Sequence, residues 1–75
     1  MPRFFFHIRD GTYLPDTEGT ELPNIEAARI QAVRASGEAI RDLGVKFWDY
    51  EGEWAMNVTD EAGNKVVTLK FSAGR

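Results

Sequence analysis

Large apolar side chains alternate with other residues from the start of the chain: Phe4, Phe6 and Ile8 fall in one register, and Phe5, His7 and Arg9 in the other. Strand side chains alternate with period two, so this pattern predicts a strand over Arg3–Arg9. Asp10-Gly11-Thr12 has the chemistry of a tight turn, because Gly tolerates positive φ and Asp bonds nearby backbone. The chain then returns through Tyr13 and Leu14, which sets Ile8 opposite Leu14 and Arg9 opposite Tyr13. Pro15 has no N–H for a ladder, so the return strand is expected to be short and at an edge. Asp16 to Leu22 is expected to be irregular.

From Asn24 to Leu43 the period changes. Ile25, Ala28, Ala32, Ala39 and Leu43 lie within one narrow stripe at 100° per residue, which predicts an amphipathic helix. Val33, Ala35 and Ile40 widen the stripe, and Glu26, Arg34, Glu38 and Arg41 fall outside it. Asn24 suits the N-cap and Gly44 the C-terminal cap. Glu26 in the first turn and Arg41 in the last complement the helix dipole. Ser36 sits inside the stripe, where its hydroxyl can bond a preceding carbonyl. Gly37 costs the helix about 1 kcal/mol relative to Ala.

Lys46 to Glu53 is a connection rich in aromatics, with Phe47, Trp48 and Tyr50. Alternation then resumes over Trp54–Thr59 and Val66–Phe71, separated by the turn residues Asp60-Glu61-Ala62-Gly63-Asn64. A hairpin through that turn sets Val58 opposite Val67, Met56 opposite Leu69, and Trp54 opposite Phe71, so every apolar pair shares a face. The predicted fold is α+β: a single domain over residues 1–75 in the order ββαββ, with one helix packed on one face of an antiparallel sheet. Its expected core is Phe4, Phe6, Ile8, Leu14, the helix stripe, Trp54, Met56, Val58, Val67, Leu69 and Phe71. The opposite sheet face carries Phe5, His7, Arg9, Asn57, Thr59, Thr68 and Lys70.

Composition narrows the functional classes. Seventy-five residues with no cysteine exclude a disulfide staple and a thiolate metal site. A net charge of −3 argues against a general nucleic-acid binder, although a local basic stripe remains compatible with it. The triplet Phe4-Phe5-Phe6 is too short for a secretory signal, and no apolar run is long enough to span a bilayer, so a cytoplasmic location without membrane contact is expected.

Candidate chemistry is sparse. Asp10, Asp16, Glu18 and Glu21 suggest a calcium loop, but their spacing departs from the helix–loop–helix calcium pattern, and solvated turn acids are the better reading. His7 is the one histidine, and the strand pattern sets no carboxylate beside it to orient a general base. Ser36 and Ser72 lie outside any nucleophile motif. Arg29, Arg34 and Arg41 are interleaved with Glu26, Glu38 and Asp42 and form a solvated helix face. No phosphate loop is present. No enzyme and no cofactor are therefore expected. Aromatics are in excess: Phe5, Trp48 and Tyr50 are not obviously required by the core, and two readings stand level, partner binding by exposed aromatics and a satellite cluster in which Trp48 and Tyr50 fold over one end of the core.

The start MPRFFFHIRDG, the run Asp16-Thr17-Glu18-Gly19-Thr20-Glu21-Leu22-Pro23, the helix opening Ile25-Glu26-Ala27-Ala28-Arg29, Trp54, and Asp60-Glu61-Ala62-Gly63 together resemble a family of short uncharacterised alphaproteobacterial proteins. That family is a domain of unknown function, so the resemblance implies no catalytic residue and no ligand. The sequence is thus expected to encode a small interaction module, either a homodimer or an accessory to another protein. Its expected contact residues are Phe5, His7, Arg9, Trp48, Tyr50, Thr68 and Lys70. The alternative is a nucleic-acid-associated regulator that uses the aromatic and basic residues of the same face.

Overall fold

A computed structural model describes residues 1–50 and 53–73, with the backbone alone over 48–50. Five strands and one long helix follow in the order β1 (Arg3–Arg9), β2 (Tyr13–Leu14), β3 (Thr20–Glu21), α1 (Ile25–Leu43), a 3-10 helix (Gly44–Tyr50), β4 (Glu53–Thr59) and β5 (Lys65–Ser72). All the strands pair antiparallel, in the order β2-β1-β4-β5, and β3 pairs with the other end of β1. The fold is α+β, as the alternation predicts. Both predicted registers hold: Ile8 faces Leu14, and Trp54, Met56 and Val58 face Phe71, Leu69 and Val67.

The stretch expected to be irregular contains the added strand, β3. Thr20 and Glu21 pair with Phe4 and Arg3, and the Leu22 N–H donates to the Pro2 carbonyl at 3.0 Å. Unlike β2, which a tight turn announces, β3 has neither a turn leading from β1 nor a hydrophobic period to reveal it.

The helix begins and ends as its caps dictate. The Asn24 side chain accepts from the Ala27 N–H at 2.8 Å, and the Gly44 N–H bonds the Ile40 carbonyl. Ala28, Ala32 and Ser36 are buried against a core of Phe4, Trp54, Met56 and Val58. Ser36 spends its hydroxyl on Met56, with Oγ to Sδ at 3.5 Å, rather than on a preceding carbonyl.

Four residues expected in the core are exposed instead: Leu14, Ile25, Val33 and Phe71. Leu14 and Phe71 belong to edge strands, Ile25 is the first helical residue, and Val33 lies on the helix flank. Leu22, Phe47 and Val66 pack on the core in their place. Val66 gains this position because the β4–β5 register slips by one residue beyond Val58, where Thr59 pairs with Lys65. The extra residue bulges and turns toward the helix side.

Candidate functional site

The sheet face turned away from α1 carries three cross-strand rows. Phe5 lies beside Thr59; His7 lies beside Asn57, which lies beside Thr68; and Arg9 lies beside Ala55, which lies beside Lys70. Of the expected contact residues, Phe5, His7, Arg9, Thr68 and Lys70 therefore share this face. The side chains of Trp48 and Tyr50 lie outside the described residues.

One end of the face is closed by the chain itself. Alternate residues of β1 direct their backbone groups to opposite sides, the even-numbered ones toward β2 and β3. Because β2 and β3 leave a gap, the Phe6 N–H has no strand partner there. The Asp16 carboxylate fills the gap, accepting from the Phe6 N–H at 3.1 Å through Oδ2 and from the Glu18 and Gly19 N–H groups at 3.1 and 3.0 Å through Oδ1. Burial pushes the Asp16 carboxyl up, but the N–H groups of Gly19, Phe6 and Glu18, together with His7, outweigh it and hold it below the usual carboxylate value. Gly19, at φ 74°, is the residue this close approach demands: a Cβ there would stand 2.8 Å from the Phe5 ring and from Arg3 Cγ.

The same segment fixes the histidine. His7 Nδ1 accepts from the Asp16 N–H at 3.1 Å, so Nε2 is left to donate to Thr59 Oγ1 at 3.0 Å. Both ring nitrogens are thereby engaged within the fold. The ring also stacks on Phe5 at 6.4 Å and tilts against Tyr13 at 6.1 Å. Phe5 and His7 are accordingly half-buried and serve as a platform.

Two neighbouring carboxylates, Asp60 and Glu61, play similar parts at the β4–β5 turn. Asp60 closes the β4–β5 turn, accepting from the N–H groups of Ala62 and Asn64 at 2.9 and 2.8 Å. The Asn64 N–H is the main cause that holds its carboxyl below the usual range; desolvation opposes it, and the Asn64 side chain and the N–H groups of Ala62 and Gly63 add to the lowering. Neighbouring Glu61 accepts from the Arg3 N–H at 3.2 Å, beyond the last paired residue of β4. The Arg3 guanidinium in turn meets the Glu18 carbonyl at 2.8 Å and Glu21 at 2.9 Å. Of the acidic residues that suggested a calcium loop, Asp16 is thus spent on backbone N–H groups and Glu21 on Arg3. Among the described residues, no three His, Asp or Glu side chains converge to hold a metal.

Asp16, Gly19 and Asp60, in the runs that carry the family resemblance, therefore serve the fold. A family model described as a domain of unknown function, DUF6894, matches residues 3–72. The chain belongs to this family. No curated protein and no solved structure matches it. Within this DUF6894 chain, the part of the open face left free is the other end. Arg9, Thr68 and Lys70 are exposed, and a groove is lined by Arg9, Glu53, Ala55, Asn57, Thr68 and Lys70. Arg9 is held in place by Tyr13, whose ring lies 5.3 Å from the guanidinium carbon. The Thr68 hydroxyl donates to Asn57 Oδ1 at 2.9 Å.

Sequence reasoning missed two participants. Asp16 was a loop acid in a stretch without a period, although Asp followed three residues later by Gly is the signature of a side-chain-capped turn. Ala55 carries no chemistry, and its place between Arg9 and Lys70 appears only once both strand registers are known. No helix among the described residues is long and apolar enough to cross a membrane.

Proposed function

We propose that this domain is a non-enzymatic docking module that binds an acidic segment of a protein partner on its open sheet face. The observation that carries the reading is the row Arg9–Ala55–Lys70. Adjacent strands lie about 4.8 Å apart, so the two cationic residues stand about 10 Å apart at the backbone, with a methyl group between them. A carboxylate side chain entering over Ala55 meets a cation on each side, and Asn57 and Thr68 offer polar contacts in the next row. The Phe5–His7–Tyr13 platform supplies apolar area beside the charges. Glu53 lines the same groove and the chain is acidic overall, which weighs against the dense charge of a phosphate polymer.

The test is a titration of the domain with a labelled Glu-rich peptide, run beside a single-stranded oligonucleotide of equal charge. The peptide is expected to bind and to weaken about tenfold with Arg9→Ala and Lys70→Ala combined, which corresponds to about 1.4 kcal/mol. Binding of the oligonucleotide alone, or peptide binding indifferent to both substitutions, would overturn the reading.

A further inference from the structure

The two edges of the sheet are built differently. At one edge β2 and β3 are two residues long, Pro15 follows β2, and Asp16 occupies the remaining N–H of β1, so a further strand finds little to pair with. At the other edge, β5 runs from Lys65 to Ser72, and among the described residues no element pairs with its outer side. The alternation set by β1 and β4 turns the backbone groups of Thr68, Lys70 and Ser72 outward.

The helix supplies a second, independent observation. α1 packs on β4 and β5. Its Asp42 flank closes toward β1 and β2, where Ala39, Asp42 and Leu43 line a depression with Ile8 and Leu14. Val33 lies nine residues before Asp42, two and a half turns, and so projects from the opposite flank, on the β5 side. It is 63% exposed and, with Ile30 at 54%, forms an apolar patch flanked by Arg29 and Arg34.

We infer that β5 is the seat of a symmetric dimer, with β5 of a second copy pairing antiparallel to it. The sheet becomes continuous across the two-fold axis. Strands are about 4.8 Å apart, so two helices standing over β4 and β5 of their own copies come within the 8–10 Å of ordinary helix packing, with Val33 of each flank between them. The charges select the register. Centring the axis on Lys70 opposes two ammonium groups, and centring it on Thr68 sets Lys70 against the bulged Val66. Centring it on Leu69 pairs Val67 with Phe71 of the second copy, Leu69 with its own mate, and Thr68 with Lys70 of the second copy. This arrangement covers Phe71, which in one copy rests on Trp54 at 5.8 Å and is 38% exposed. The dimer leaves both open faces free on one side, so it stands independently of the docking reading above.

Sedimentation equilibrium on the intact chain tests this inference. Wild type is expected to dimerise reversibly. Val33→Glu, at an exposed position, is expected to weaken association at least tenfold with an unchanged circular dichroism spectrum. Thr68→Glu sets a carboxylate opposite Lys70 of the second copy twice per dimer and tightens association several-fold, whereas Thr68→Lys weakens it by a similar factor. A chain that is monomeric at millimolar concentration would overturn the proposal. So would a dimer that Val33→Glu leaves intact, or one on which the two Thr68 substitutions act alike.

Discussion

Replacing Asp16 with Ala removes one side chain and strands three N–H donors. The Glu18 N–H is exposed and turns to water, whereas those of Phe6 and Gly19 are half-buried. A hydrogen bond to a charged acceptor contributes about 1.5–3 kcal/mol, and solvent near this loop places each bond at the low end. The expected loss is therefore about 2–3 kcal/mol, or roughly 10–20 °C in Tm for a domain of this size. Asp16→Asn keeps an oxygen for the Glu18 and Gly19 bonds and is expected to lose about half as much. The pH dependence follows from the direction of the shift. The folded carboxyl ionises at lower pH than the unfolded one, so its contribution is complete above the unfolded value of about 3.9 and is lost as pH falls through the folded value. Thermal melts of wild type and Asp16→Ala from neutral pH downward measure this, and the gap between them is expected to narrow on acidification. An Asp16→Ala variant that melts with wild type at neutral pH would refute the claim that this carboxylate completes the edge of β1.

Three further outcomes are expected from thermal or denaturant melts. Gly19→Ala is expected to cost more than Gly63→Ala: both residues have positive φ, but only at Gly19 does a Cβ collide with Phe5 and Arg3. Gly37→Ala is expected to stabilise by about 0.5–1 kcal/mol, since nothing lies within 4 Å of the added methyl and Ala is the better helix former. Ala32→Glu is expected to unfold the domain because Ala32 is fully buried, while Arg34→Glu, at an exposed position, is expected to shift stability by no more than about 0.5 kcal/mol.

What was legible in the sequence was whatever repeats. The period of two in Phe4-Phe6-Ile8 and in Trp54-Met56-Val58 fixed two strands and their faces, and turn length then fixed their registers. The period of 3.6 from Ile25 to Leu43, with Asn24 before it, fixed the helix. What stayed hidden was whatever depends on a single residue reaching across the chain. Asp16 completes β1 from ten residues away, Glu61 serves Arg3, and Val66 turns inward at a bulge, none of which leaves a period to count. The open face was legible as a list of residues but not as rows. Only strand pairing sets Arg9 and Lys70 on either side of Ala55, and only the Asp16–Gly19 segment turns Phe5 and His7 from free surface into support.

The docking reading is tested most directly by following backbone amide resonances of the isotope-labelled domain as the Glu-rich peptide is added. The account predicts shifts concentrated at Arg9, Ala55, Asn57, Thr68 and Lys70, with the amides of the outer helix face at Glu26, Ile30 and Arg34 unmoved. Shifts centred on the helix, or spread without regard to the Arg9–Ala55–Lys70 row, would contradict it.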